Sequence, residues 1–127
     1  MAKDPRLGVH GDLLTKVGKV LAAMEALGFP MRICQGVRTV AEQKALYAQG
    51  RTAPGSVVTN CDGVLRPSNH QARADGFGHA VDCCFTQGDP FGEGQPWSVY
   101  GAAAKAVGLK WGGDFKTITD RPHVEIP

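Results

Sequence analysis

The stretch SNHQARADGFGHAVDCCF, residues 68–85, places two of the chain's four histidines, His70 and His79, ahead of a run that reads as a strand. Over residues 79–85 the side chains alternate, so that Val81, Cys83 and Phe85 share one face and Ala80, Asp82 and Cys84 the other. The apolar trio suits a core. A carboxylate in the middle of a strand is costly by propensity and by burial unless something pairs with it. Asp82 is therefore read either as a surface salt-bridge partner or as a metal ligand. Catalytic zinc sites take three protein ligands and keep one position open. The C-terminal stretch TDRPHVEIP, residues 119–127, offers His123 at the start of a strand and Asp120 on the loop three residues before it. From there Asp120 reaches the open position as a general base for an attacking water. Alternation puts His79 on the face opposite Asp82, whereas His70 lies on a loop free to fold back. Strand geometry thus favours His70 as the second histidine ligand.

Outward from this stretch, apolar residues at Leu13, Leu14, Val17, Val20, Leu21, Met24 and Leu27 form one stripe of a helix. Asp12 is its expected N-cap and Gly28 its stop. Met31–Cys34 reads as a short strand. Thr39-Val-Ala-Glu42 matches a capping box and opens a second helix ending at Gln49-Gly50. Residues 51–79 are rich in Gly, Pro, Asn, Asp and Ser and read as a long ordered loop, with a short strand at Val57–Thr59. A third helix is expected over Trp97–Val107, stopped by Gly108. A strand at Leu109–Trp111, a turn at Gly112-Gly113-Asp114 and a last strand at His123–Ile126 complete the chain. This order of elements predicts an α+β fold with a small antiparallel sheet.

At 127 residues the chain is expected to form a single domain spanning 1–127 and to bury roughly two-thirds of its unfolded surface. A net charge of +2 is too small to point to nucleic acid. No apolar run approaches the roughly 20 residues that span a bilayer, so membrane insertion is not expected. The opening MAKDPRLGVHGDLL has no apolar core of a secretory signal, which predicts synthesis in the cytoplasm. The four cysteines contain no C-x2-C pair, and adjacent Cys83 and Cys84 point to opposite faces of a strand. They are expected to be mainly buried thiols, with a link from Cys61 to Cys83 or Cys84 left open.

Three blocks, Ser68-Asn69-His70, Gly78-His79-Ala80-Val81-Asp82 and Asp120-Arg121-Pro122-His123, together resemble the signature of a family of bacterial cell-wall zinc peptidases. That family is grouped with lysostaphin, D-alanyl-D-alanine peptidases and the Hedgehog N-domain. Gly36-Val37-Arg38-Thr39, Glu42-Gln43, Leu46-Tyr47, Gly50-Arg51-Thr52, Val58-Thr59 and Trp111-Gly112-Gly113-Asp114-Phe115 extend the likeness across nearly the whole chain. The set looks most like the L-alanyl-D-glutamate endopeptidase branch common among phage endolysins. The resemblance implies about three helices packed on the small sheet, with a zinc cleft on its open face. It implies that His70, Asp82 and His123 bind Zn2+ and that Asp120 is the general base. His79 then occupies the variable place in its motif. Arg38 is expected to face the cleft, stabilising the oxyanion or holding a substrate carboxylate. Ser68 is expected to bind substrate or to orient the His70 loop, and Gln43 to contact substrate. Gln43, Tyr47 and Arg51 share one helix face, with Tyr47 read as core packing; Trp111 is read as core and Trp97 as a helix start.

There is one departure from the family pattern. Seven residues, Gln71 to Phe77, separate His70 from Gly78 where the family has two, which also admits an alignment with His79 in place of His70. The implied activity is hydrolysis of an amide in the peptidoglycan stem peptide, by a monomer without a separate wall-binding module. A lysis endolysin of this kind acts on the cell wall in the periplasm after holin-type release. The alternatives are a D-alanyl-D-alanine carboxypeptidase or dipeptidase of the same fold, and a non-catalytic zinc-containing murein-binding module.

Overall fold

Leu13, Val17, Val20 and Met24 recur at helical spacing and are all buried, which fixes the face that helix α1, Gly11–Ala26, turns inward. The computed structural model describes residues 4–127; the first three residues of the charged opening stretch lie outside them. The N-cap of α1 is His10 rather than the expected Asp12. The His10 Nδ1 accepts from the Asp12 backbone N–H at 3.1 Å, and Asp12 lies in the first turn, where a carboxylate favours the helix dipole. Helix α2, Val40–Ala48, begins with the expected capping box between Thr39 and Glu42. Helix α3 spans Trp97–Ala106.

Four strands, β1 Met31–Gln35, β2 Ala80–Phe85, β3 Lys110–Trp111 and β4 His123–Glu125, form one antiparallel sheet in the order β1-β2-β4-β3. Gly112–Asp114, expected as a turn, is a single turn of 3-10 helix. One face of the sheet, through Val81, Cys83, Phe85 and Val124, packs with α1 and with Trp97, Tyr100 and Ala104 of α3. The opposite face carries Asp82, His123 and Glu125.

No strand forms at Val57–Thr59, contrary to expectation. Its β-branched residues favour extended backbone, but side chains anchor the segment instead. Gln49 donates to the Ser56 carbonyl, Arg51 to the Thr59 carbonyl and Gln43 to the Thr59 hydroxyl. All four cysteines are free thiols, so the optional link from Cys61 is not formed; burial pushes the Cys83 thiol up to about 12. Tyr47, expected in the core, is half-buried, and Arg51 stacks on its ring at 3.9 Å. Trp97 starts α3 as expected and enters the core, while Trp111 packs half-buried at its edge.

Candidate active site

Strand pairing brings the first two candidate ligands together. In the ladder Asp82 stands opposite His123 on one side and Gln35 on the other, and directly paired residues share a sheet face with adjacent Cβ atoms. The β1 register shifts between Ile33 and Gln35, a bulge that aims Gln35 onto this row. His70 arrives from the loop. Its carbonyl accepts from the Arg38 N–H at 2.7 Å, its own N–H donates to Ser68 Oγ at 3.1 Å, and Ser68 N–H donates to Gln71 Oε1. These bonds carry the buried imidazole over Asp82.

His70 Nε2, Asp82 Oδ1 and His123 Nδ1 form a triangle with sides of 3.1, 3.2 and 3.7 Å. The opposite ring nitrogens are committed: His70 Nδ1 lies 2.9 Å from the Gly36 carbonyl and His123 Nε2 lies 2.7 Å from Glu125 Oε1. Both partners are acceptors, so each imidazole donates outward and turns a lone pair inward. With both rings neutral, two lone pairs and a carboxylate oxygen thus converge with no proton to share, and buried Asp82 Oδ1 has no hydrogen-bond partner. Burial works against the charge on Asp82, yet His70, His123 and Arg38 overcome it and hold the carboxyl below its ordinary value. A cation resolves this arrangement. Ligand bonds of about 2.0–2.1 Å in a tetrahedral zinc site space the ligand atoms by roughly 3.3–3.4 Å, close to the triangle seen here. Outer carbonyl and carboxylate partners of this kind orient metal-binding histidines. Among the described residues this trio is the one group placed to hold a metal ion.

Asp120 is aimed by its own backbone. Its N–H donates to the Gly112 carbonyl, and its carbonyl accepts from His123 N–H. Trp111 Nε1 donates to the Arg121 carbonyl at 2.7 Å, and buried Tyr100 donates its hydroxyl to the Pro122 carbonyl at 2.8 Å. Three successive carbonyls are therefore tied down, and the Asp120 carboxylate lies 3.8 Å from His123 Nδ1, beside the open side of the triangle. Burial, then the nearby Asp82 charge, raises its pKa. The trio and Asp120 open into a cavity of about 770 Å³. Its walls come from the 57–61 segment, the 67–73 loop and the 115–120 loop.

This architecture has known counterparts. Residues 64–126 match the family described as D-alanyl-D-alanine carboxypeptidase, of the M15 peptidases. The peptidoglycan L-alanyl-D-glutamate endopeptidase CwlK of Bacillus subtilis is 32% identical over 130 residues, covering 93% of this chain and 73% of that protein. The chain belongs to the M15 family of murein peptidases. The fold is shared with the L-Ala D-Glu endopeptidase ChiX of Serratia marcescens, with a TM-score of 0.70 and 23% identity over 97% of this chain and 84% of that one. It is shared also with the vancomycin-resistance D,D-pentapeptidase VanY, solved in complex with Zn(II). There the TM-score is 0.63 and the identity 16%, over 93% of this chain and 72% of that one.

Within this M15 enzyme the remaining expected site residues divide by position. His79 stands apart from the trio and pairs instead with Asp75 at 2.7 Å and edge-on with His10. The alignment that substitutes it for His70 therefore fails on geometry. Arg38 does line the cavity, with both Nη atoms occupied: Nη2 donates to Asp82 Oδ2 at 3.3 Å and Gln35 Oε1 at 2.8 Å, and Nη1 to Gln43 Oε1, while its buried Nε has no partner. Ser68 accepts from the His70 N–H and so holds the ligand loop. Gln43 is fully buried and does not line the cavity, which removes it from substrate contact. It ties α2 to the Cys61 carbonyl and to Arg38. Two polar partners went unread in the sequence: Glu125, which accepts from His123, and Asn69, which donates to Glu125 Oε2 at 2.7 Å. Alternation along β4 places Glu125 on the His123 face, but no local sequence pattern marks it as a partner of that histidine.

Proposed function

We propose that this M15 enzyme is a zinc-dependent L-alanyl-D-glutamate endopeptidase that cleaves the peptidoglycan stem peptide as a lysis endolysin. The observation that supports the choice of bond is the relation, over 93% of this chain and 73% of that protein, to the Bacillus subtilis L-alanyl-D-glutamate endopeptidase. The inward lone pairs of His70 and His123, with the unpartnered Asp82 oxygen, support the metal. A Zn2+ held by these three residues would supply polarisation of the scissile carbonyl and acidification of a water.

The chain's own residues do the rest. Asp120 accepts the proton of the attacking water and returns it to the leaving amine, the work of a single group acting first as base and then as acid. Its raised pKa suits the second half of that cycle. Arg38 holds Asp82 Oδ2, leaving Oδ1 for the ion, and presents positive charge beneath the carbonyl oxygen as negative charge develops there. Ser68 keeps the His70 loop in register.

In this reading residues 1–127 hold one peptidase domain that acts as a monomer. The enzyme is made in the cytoplasm and reaches the periplasmic wall through a holin-type pore. Among the described residues no helix is long and apolar enough to cross a membrane. A second reading, D-alanyl-D-alanine carboxypeptidase, has the family description behind it.

The test is mass spectrometry of Gram-negative peptidoglycan digested by zinc-loaded and chelator-treated protein. The proposal requires stem peptides beginning at D-glutamate, with L-alanine left on the muramyl sugar. Release of terminal D-alanine alone would establish the carboxypeptidase. No cleavage by zinc-loaded protein would favour a binding module.

A further inference from the structure

The seven residues that lengthen the His70–Gly78 connection fold into a small, tightly bonded hairpin. Arg73 N–H donates to the Phe77 carbonyl, Gly76 N–H to the Arg73 carbonyl, and Phe77 N–H to Asp75 Oδ1. Ala72 bridges Gly78, which is itself held by Gly8 and Val9 from the N-terminal segment. Asp75 pairs with His79, and Phe77 packs edge-on against His10. The hairpin backbone is therefore fixed on both sides.

From this platform Arg73 lines the same cavity as His70, Asp82 and His123. Its guanidinium is nearly uncommitted: among the described residues its side chain makes one long hydrogen bond, from Nη1 to the Pro67 carbonyl at 3.4 Å. The other cavity cations differ from it. Arg38 commits both Nη atoms to Asp82, Gln35 and Gln43 and keeps only a buried Nε unpartnered, and Lys116 sits on an exposed loop. Asp82, Asp120 and Glu125 give the cavity negative charge of its own. An anionic peptide entering it needs a fixed cation with free donors, and a guanidinium offers a carboxylate two parallel hydrogen bonds.

We propose that Arg73 is a specificity-determining residue, holding the free α-carboxylate of the γ-linked D-glutamyl residue next to the scissile bond. The inference rests on the endopeptidase reading above. In a γ-linked glutamyl residue that carboxylate lies only a few bonds from the scissile amide, within the span of one cavity that holds both the metal trio and Arg73.

The test uses two synthetic stem tripeptides on zinc-loaded protein, one with the free α-carboxylate and one with it amidated, against wild type, R73Q and R73K. Wild type is expected to prefer the free carboxylate roughly tenfold in kcat/KM, the worth of one charge-assisted hydrogen bond. R73Q should raise KM for that peptide by a similar factor, leave kcat little changed, and leave the amidated peptide unaffected. R73K should restore part of the preference. Equal losses on both peptides, or none on either, would overturn the proposal, as would a wild type indifferent to amidation. If wild type cleaves neither peptide, the endopeptidase reading fails and this inference goes with it. Cleavage of both at equal rates sinks the inference alone.

Discussion

A carboxylate beside a metal trio serves as a base only if it is held near the ligands without joining them, and Asp120 meets that condition through its neighbours' backbone bonds. Asp120→Asn keeps the shape and removes the proton acceptor. It is expected to lower kcat by roughly 10²–10⁴, with zinc stoichiometry unchanged by metal analysis. The His123–Glu125 pair gives a second prediction. Burial opposes protonation of His123, but the Glu125 hydrogen bond and the charges of Asp82 and Asp120 raise its pKa above the ordinary 6.5. A raised folded-state pKa means the metal-free protein holds this proton more tightly folded than unfolded. The resulting stability is complete below about pH 6.5 and is lost as pH rises through the folded value. Asp82 has the opposite sign: its contribution stands above 3.8 and is lost as pH falls through its depressed value. Thermal melts of chelator-treated protein should therefore show a midpoint that declines from about pH 6 to about pH 8. In Glu125→Gln that decline should shrink, and zinc affinity in a chelator competition should fall about 10- to 100-fold. A pH-independent midpoint would refute the assignment of the proton to His123. At this scale side-chain alternation favoured His70 over His79 without excluding His79, and the family resemblance added the rest; the structure brings His70 beside Asp82 and His123 and pairs His79 with Asp75. Arg38 was legible as a cleft residue, but its partners were not, since its bonds to Gln35 and Asp82 depend on a bulge that no local pattern announces.

Among elements, the turn between Gly112 and β4 governs where Asp120 stands. A side chain at Gly112 would collide with the Asp120 carbonyl and crowd His123 Cβ. Gly112→Ala should therefore cost about 1–3 kcal/mol by overpacking, and should lower kcat because Asp120 and His123, the proposed base and ligand, both shift. Gly94→Ala is the control, since nothing lies within 4 Å of its added carbon. Denaturant titration and steady-state kinetics on both variants check this, and normal kinetics in Gly112→Ala would show that the turn tolerates displacement. Elements with their own periodicity or capping signal were readable: α1 by its apolar stripe, α2 by its capping box, β2 by its alternation. The strand expected at Val57–Thr59 was misread because extended propensity does not supply a pairing partner. The buried role of Gln43 was hidden for a related reason, in that its partners, Thr59 and Cys61, come from a loop whose path has no local code.

For the molecule as a whole, β2 is the plane of division. Val81, Cys83 and Phe85 face the core with α1 and α3, while Asp82 faces the cavity. The core is continuous without the candidate metal site: Leu13, Val17, Val20, Met24, Tyr100 and Val124 are buried in one cluster that none of His70, Asp82 and His123 enters. This separates the chain from small zinc domains, whose metal supplies the folding energy. Zinc binding only the native state should still stabilise it, by roughly 2.7 kcal/mol at a free concentration 100 times Kd. Chelation is thus expected to lower the melting midpoint by roughly 5–15 °C and to abolish activity, while far-UV circular dichroism at room temperature stays unchanged. Restoring zinc should recover both properties. Loss of the dichroism signal on chelation would place the trio among the supports of the fold, because the like charges and facing lone pairs on one side of β2 would then outweigh the apolar packing on the other.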